Sequence, residues 1–139
     1  MFRIELLPWE KAREPASRIR FRVFVEEQGV PRDIELDEQD ARCLHAVAFD
    51  DKGVAVGTGR LLPDGHIGRM AVLEQCRRHG IGTLLLERLI GAARRRGDRE
   101  VLLSAQVHAV GFYRKHGFET EGEIYEEAGI PHRSMRRRL

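Results

Sequence analysis

After Val72 the spacing of apolar residues along the chain changes period, and that change limits the folds open to it. Upstream, short apolar segments separated by turn signals read as strands. Downstream, Ile81, Leu84, Leu85, Leu89 and Ala92/Ala93 mark one face of a helix from about Gly80 to Arg96, closed by Gly97. The junction, Val72-Leu-Glu-Gln-Cys-Arg77-Arg78-His79-Gly80-Ile81-Gly82-Thr83, is a strand, a short loop and a helix start. A chain built this way lays helices on a sheet.

The remaining elements extend the pattern. Residues 2–7 alternate and predict a first strand stopped by Pro8. From about Ala16 to Gln28 two periods compete. Arg18, Arg20 and Arg22 alternate with Ile19, Phe21 and Val23, while Ile19/Val23 and Phe21/Phe24/Val25 recur at helical spacing. The Glu-Glu-Gln-Gly29 ending decides for a helix. Residues 29–42 read as a polar, acidic loop. Segments 43–49 and 54–62, joined by Asp50-Asp51-Lys52-Gly53, predict a hairpin, and Pro63-Asp64-Gly65 leads into a strand over 66–73. Val101–Gln106 reads as a buried strand, Ala109–His116 as a short helix closed by Gly117, and 118–126 and 132–139 as a final pair of strands. The predicted order is β-α-β-β-β-α-β-α-β-β. It is an α/β chain with a mixed sheet: an antiparallel meander, a β-α-β-α unit and C-terminal strands.

Composition excludes several classes. At 139 residues, with no linker or repeat, the chain is expected to be one domain over 1–139. No stretch approaches the roughly 18 apolar residues of a membrane span. Glu5 falls where a signal peptide would carry its apolar centre. Cys43 and Cys76 form no CxxC pair, so neither a zinc knuckle nor a disulfide framework is indicated, and a cytoplasmic location is expected. The net charge of +2 argues against a nucleic-acid surface despite the runs Arg94–Arg96 and Arg136–Arg138, which read as solvated faces.

The junction carries the chemistry. Two glycines at a helix entrance leave backbone N–H groups uncovered at the positive end of the helix dipole, a setting for a phosphate or pyrophosphate. Arg77 and Arg78 are unfavourable against that dipole unless an anion sits there. A P-loop is excluded because no lysine follows either glycine, and a dinucleotide fingerprint because position 85 is leucine. What remains is Arg77-x-x-Gly80-x-Gly82 directly after a strand; its plainer reading is a tight turn.

A second feature is Phe112-Tyr113-x-x-x-Gly117-Phe118, following the strand Val101–Gln106. Met70-Ala-Val72, the glycine loop, the leucine-rich helix and this second motif together resemble the GNAT superfamily of acetyl-CoA-dependent N-acetyltransferases. The stretch from Arg22 through Pro31 to Asp37 resembles one of its subgroups. The resemblance implies a GNAT-like fold, acetyl-CoA as cosubstrate with no metal, and acetyl transfer to a primary amine on a small molecule or peptide by direct transfer in a ternary complex. It implies that amides from Arg77 through Arg78, His79, Gly80, Ile81 and Gly82 to Thr83 hold the pyrophosphate. It further implies that Met70, Ala71 and Val72 pair with the pantetheine arm, and that Tyr113 is the general acid. Arg78 stands where that family often has glycine. No nucleic acid or membrane partner is implied, and a homodimer is compatible with this reading. The alternative is an acyl-CoA-binding regulatory or interaction module without turnover.

The base is left unassigned among Glu26, Glu27, His45, Glu74 and His108. His45 reads more simply as a hydrogen-bonded histidine of the sheet. Gln106 and His108 are expected to face the acceptor cleft. Asp33, Glu35, Asp37, Glu38 and Asp40 fail as a calcium loop, because Glu38 stands at the turn-glycine position and Leu44 at the terminal bidentate position. They read as a charged surface loop, with a lip for a cationic amine as the second reading.

Overall fold

The computed structural model describes residues 1–35 and 37–139, with all of their side chains except those of Asp33 and Ile34. The strands are β1 (Arg3–Pro8), β2 (Leu44–Phe49), β3 (Ala55–Leu61), β4 (Ile67–Val72), β5 (Glu100–Gln106), β6 (Glu119–Glu127) and β7 (Ile130–Arg138). The α-helices are α1 (Trp9–Arg20), α2 (Arg32–Glu35), α3 (Ile81–Arg95) and α4 (Val110–Lys115). Strands β1-β2-β3-β4 form one antiparallel sheet, and β5-β7-β6 form a second.

Period-two alternation explains the layers. Ala46 and Ala48 of β2 turn toward α3, while Val47 turns toward α1 with Ala55 and Ala71. From α1 the stripe Ala12, Ala16, Ile19 and then Val23 closes that second face. On the other face α3 buries Ile81, Leu85, Leu86, Leu89 and Ile90, joined by Val101, Leu103, Ala105, Phe118 and Met135 of the second sheet's side. Each fully buried leucine stabilises the fold by about 2 kcal/mol of transfer free energy. A β-carbon at Gly57 would stand 3.1 Å from both Ile81 and Leu85, so glycine is what lets α3 lie this close to β3.

Two expectations are corrected. The first helix begins at Trp9, not near Ala16, and it contains Pro15. Proline removes a single i→i−4 rung, and the buried stripe through Ala12 outweighs that loss. After Arg20 the chain widens into a π-helical segment, Phe21–Glu27, rather than continuing as α-helix. The stretch expected to be a loop holds α2 and a 3-10 turn, Glu38–Arg42, closed by a capping box between Asp37 and Asp40.

The feature that positions the site is a divergence between the two sheets. β4 and β5 are held by one parallel bridge, His66 to Leu102, where the Leu102 N–H donates to the Gly65 carbonyl at 3.1 Å. Beyond that bridge the strands separate, and Ile67–Val72 and Ser104–Gln106 become opposite walls of one cleft. Among the described residues, no helix is long and apolar enough to cross a membrane.

Candidate active site

The cleft has a volume of about 1120 Å³. Its floor begins at β4, which carries a bulge. Thr58 pairs with Ala71 and Arg60 with Gly68, so β4 spends one residue more than β3 across that interval. Arg69, with φ +49°, takes up the excess. A bulge leaves a residue outside the ladder and redirects its neighbours, here beside Met70 at the cleft wall. The free edge of β4 offers N–H and C=O groups to an extended partner.

At one end of the cleft stands the N-terminus of α3. Gly80 is its N-cap with φ +77°, a left-handed conformation that favours glycine. No side chain caps this end and no acidic residue lies in the first turn. The leading amides of α3 therefore face the cleft without a carboxylate competitor, as an anion site requires. Of the ten residues assigned to acetyl-CoA from the sequence, Met70, Ala71, Val72, Arg77, Arg78, Gly80, Ile81, Gly82 and Thr83 line the cleft. His79 does not; its ring sits 6.1 Å from that of Phe2.

Arg77 has a partner of its own. Its guanidinium donates to both carboxylate oxygens of Glu27, at 2.7 and 2.8 Å, and through Nε to the Val72 carbonyl at 2.9 Å. The hydrogen bond from Arg77 holds the Glu27 carboxyl below its usual range, against the opposing effect of burial. An anion is thus not needed to explain this arginine, which ties the end of β4 to the π-helical segment. Arg78, exposed and with φ +69°, is the arginine at the loop to which that argument still applies.

Tyr113 is buried on α4 and lines the cleft between the edges of Phe112 and Phe118. Burial pushes its hydroxyl up to about 12, so the group stays protonated at neutral pH and has a proton to donate there. Gln106, on the β5 wall, exchanges hydrogen bonds with Gln28 at the end of the π-helical segment, at 2.8 and 3.4 Å, tying β5 to that segment. His108 also lines the cleft and is exposed.

Other base candidates lie elsewhere. His45 is buried between β1 and β3, donates to the Asp40 carbonyl at 2.9 Å and faces Trp9. Burial lowers its basicity, so it stays neutral. Glu26 pairs with Arg22 on the surface, and Glu74 is exposed outside the cleft.

The acidic segment is not a solvated loop. Arg20, itself buried, binds Glu35 and donates to Asp40 at 2.8 and 3.1 Å. Arg60 donates to Asp37 at 2.8 and 3.1 Å and to Asp40 at 2.8 Å. Arg69 reaches from the bulge to the Glu35 carbonyl at 3.0 Å and to Asp37 at 3.3 Å. Burial works to raise the carboxyls of Asp37 and Asp40, but the arginines outweigh it and hold both below the usual range. Their charge is spent internally, which removes the basis for a cationic-amine lip; Glu38 stays exposed, and the Asp33 side chain lies outside the described residues. Arg136 and Arg137 are likewise not a plain solvated face: Arg136 pairs with Glu100 and Glu121, and Arg137 donates to the His116 carbonyl at 2.9 Å.

The family description "Acetyltransferase (GNAT) domain" matches residues 13–139. The chain belongs to the GNAT acetyltransferases. It is 37% identical over 129 residues to the uncharacterized N-acetyltransferase YjcF of Bacillus subtilis, covering 91% of this chain and 92% of that one. An acyl-CoA N-acyltransferase from Pseudomonas aeruginosa shares its fold with a TM-score of 0.82 and 33% identity, over 99% of this chain and 98% of the other. Escherichia coli ElaA superposes with a TM-score of 0.86 at 29% identity, over 99% of each chain. This GNAT chain is therefore an acyltransferase with the mixed α/β fold expected from its sequence.

Sequence reasoning did not include the β6–β7 turn in the site. Glu127, Ala128, Ile130 and His132 all line the cleft. The available signal was a histidine two residues from an isoleucine in a strand, Ile130-Pro-His132, which a period-two reading places on one face.

Proposed function

We propose that this GNAT acyltransferase moves the acetyl group of acetyl-CoA to a primary amine by direct transfer, with both substrates in the cleft at once. The observation that carries the reading is the divergence of β4 and β5, with the uncapped start of α3 at one end and the Tyr113 hydroxyl within the same cleft. The residues present suit such a cosubstrate. The amides from Arg77 to Thr83 receive the pyrophosphate, and the open edge at Met70, Ala71 and Val72 receives the pantetheine amides as a further strand would be received.

The reaction needs a neutral, oriented amine at the thioester carbonyl carbon. Holding the two reactants in one cleft supplies several kcal/mol of barrier reduction. As the C–N bond forms, a backbone N–H near Val72 donates a hydrogen bond to the thioester oxygen on which negative charge develops. As the C–S bond breaks, the Tyr113 hydroxyl gives its proton to the departing sulfur. The ammonium substrate yields two protons in total: one restores Tyr113, and one leaves to solvent. The products are an amide and a free thiol. Both cysteines are free, in keeping with a reducing, cytoplasmic setting.

The test is thiol release from acetyl-CoA across a panel of amines, lysine peptides and peptide N-termini. Acceptor-dependent release establishes the transfer. Binding of CoA with no release on any acceptor would leave a module without turnover, and absence of CoA binding would defeat the assignment of the cleft.

A further inference from the structure

The amine must lose a proton before it attacks, and none of the carboxylates and histidines singled out in the sequence is built for that step. We propose that His132, backed by Glu127, is the base that takes the proton of the acceptor ammonium; this rests on the acetyl-transfer reading of the same cleft.

Four observations carry it. First, placement: His132 stands opposite Gln106 in the β5/β7 ladder and opposite Tyr125 in the β6/β7 ladder. Directly opposed residues share a sheet face, so the ring lies on the face that presents Ser104 and Gln106 to the cleft, and it lines that cleft. Second, protonation: Nδ1 is 2.6 Å from the Ile130 carbonyl. A carbonyl only accepts, so Nδ1 carries the hydrogen and Nε2 is left with a lone pair, the form a base requires.

Third, rigidity: the ring is 7% exposed and stacks on Tyr125 at 6.1 Å, and the Tyr125 hydroxyl is hydrogen-bonded to Ser104. The lone pair therefore has a fixed direction. Fourth, charge: the Glu127 carboxylate lies 3.6 Å from Nε2. That is too long to occupy the nitrogen as a hydrogen bond, and it sets a carboxylate beside the position the transferred proton would take. The groups facing the ring are Glu127 and Tyr125 from β6 and the neutral Gln106 and Ser104 from β5. Of the other two histidines of the cleft, His108 is exposed and receives no such support, and His66, also exposed, lies at the β4–β5 bridge with its Nδ1 3.0 Å from Asp64 of its own turn.

In the step itself, one N–H bond of the ammonium breaks and its proton passes to Nε2. The freed nitrogen pair forms the C–N bond, and the imidazolium then releases the proton to solvent. No other reactant is consumed.

The experiment separates amines that need a base from those that do not, using two isomers of one size. Benzylamine is an ammonium ion at neutral pH, whereas 4-methylaniline is already a free amine. Replacing His132→Gln is expected to lower kcat/KM for benzylamine at about pH 7 by roughly 100-fold or more, the scale of general-base catalysis. The loss for 4-methylaniline should be far smaller. Benzylamine transfer should recover as the pH is raised toward about 9.5, where free alkylamine accumulates. Acetyl-CoA affinity, measured by calorimetry, should be unchanged.

Equal losses on both amines without recovery at high pH would overturn the base assignment and leave a structural role. Unchanged benzylamine transfer would overturn it too. If wild-type protein binds acetyl-CoA but acetylates neither amine, the acyl-transfer reading fails first and this one with it. Should the His132 variant not fold, Glu127→Gln carries the test. Removing the carboxylate beside the ring should lower kcat/KM for benzylamine several-fold more than for 4-methylaniline, and equal effects on the two amines would refute the pairing.

Discussion

Substituting Asp40→Asn changes one atom's chemistry at the centre of a buried charge network, and the consequence can be worked through. Asp40 accepts from Arg20 Nη1 and Nη2 at 2.8 and 3.1 Å and from Arg60 Nη1 at 2.8 Å. The network sets Arg20, Arg60 and Arg69 against Glu35, Asp37 and Asp40, so it is neutral as it stands. Asparagine keeps the shape, but the pocket gains an uncompensated positive charge, and the new amide N–H group faces a guanidinium. Breaking a buried ion pair by removing one partner costs about 3–5 kcal/mol. The lower end, about 3 kcal/mol, applies because Glu35 remains on Arg20 and Asp37 on Arg60.

For a chain of this size that is a fall in Tm of roughly 10 °C. Urea unfolding followed by circular dichroism should show the midpoint falling by about 1.5–2 M with an unchanged slope. The difference must also depend on pH. The folded Asp40 carboxyl is held below its unfolded value of 3.8, so its contribution is fully present above that value and is lost as pH falls through the lower folded one. Wild type and variant should therefore converge in strongly acidic buffer. A loss under about 1 kcal/mol at neutral pH would refute the claim that this network is buried and coupled.

Three further outcomes are expected. At Gly82 a β-carbon would lie 3.5 Å from Phe112, ordinary contact, so Gly82→Ala should fold normally. Gly82→Asp should weaken acetyl-CoA binding about 100-fold by calorimetry, since a carboxylate there repels the pyrophosphate and covers its donors; retained affinity would remove the loop from the site. Tyr113→Phe should lower kcat by about 100-fold or more with little change in the acetyl-CoA KM, as when a contact made in the transition state is lost, and an unchanged kcat would return the ring to packing. At Gly59 a β-carbon would overlap Met70 Sδ and stand 3.0 Å from Leu89. Gly59→Ala should cost no more than about 1 kcal/mol in urea titration, because the flexible Met70 thioether can give way, and should raise the acetyl-CoA KM by displacing Met70 along the cleft wall.

Most of the element order was legible because its signals are local. The hairpin turns, the period change after Val72 and the closing glycines each act within a few residues. The start of α1 was not legible, because Pro15 speaks against a helix locally and only the burial of Ala12 and Ala16 against β2 and β3 overrides it. The π-helical widening after Arg20 left two competing periods in the sequence for a related reason: it is neither a strand nor a regular α-helix.

The glycine loop, the strand before it and Phe112-Tyr113 on the later helix were fixed by the sequence alone, since a backbone open to an anion requires glycine at set positions beside a helix start. The tertiary structure decided which charges are free. Arg77 is joined to Glu27 across 50 residues, Arg20 and Arg60 to Asp40 across 20, and Gln28 to Gln106 across 78. Neither periodicity nor spacing encodes such distances, because the partners meet only when separate strands and helices close over one core. The same closure brings His132 from the last hairpin to the cleft, where its chemistry depends on a carbonyl and a carboxylate that the linear sequence does not place around it.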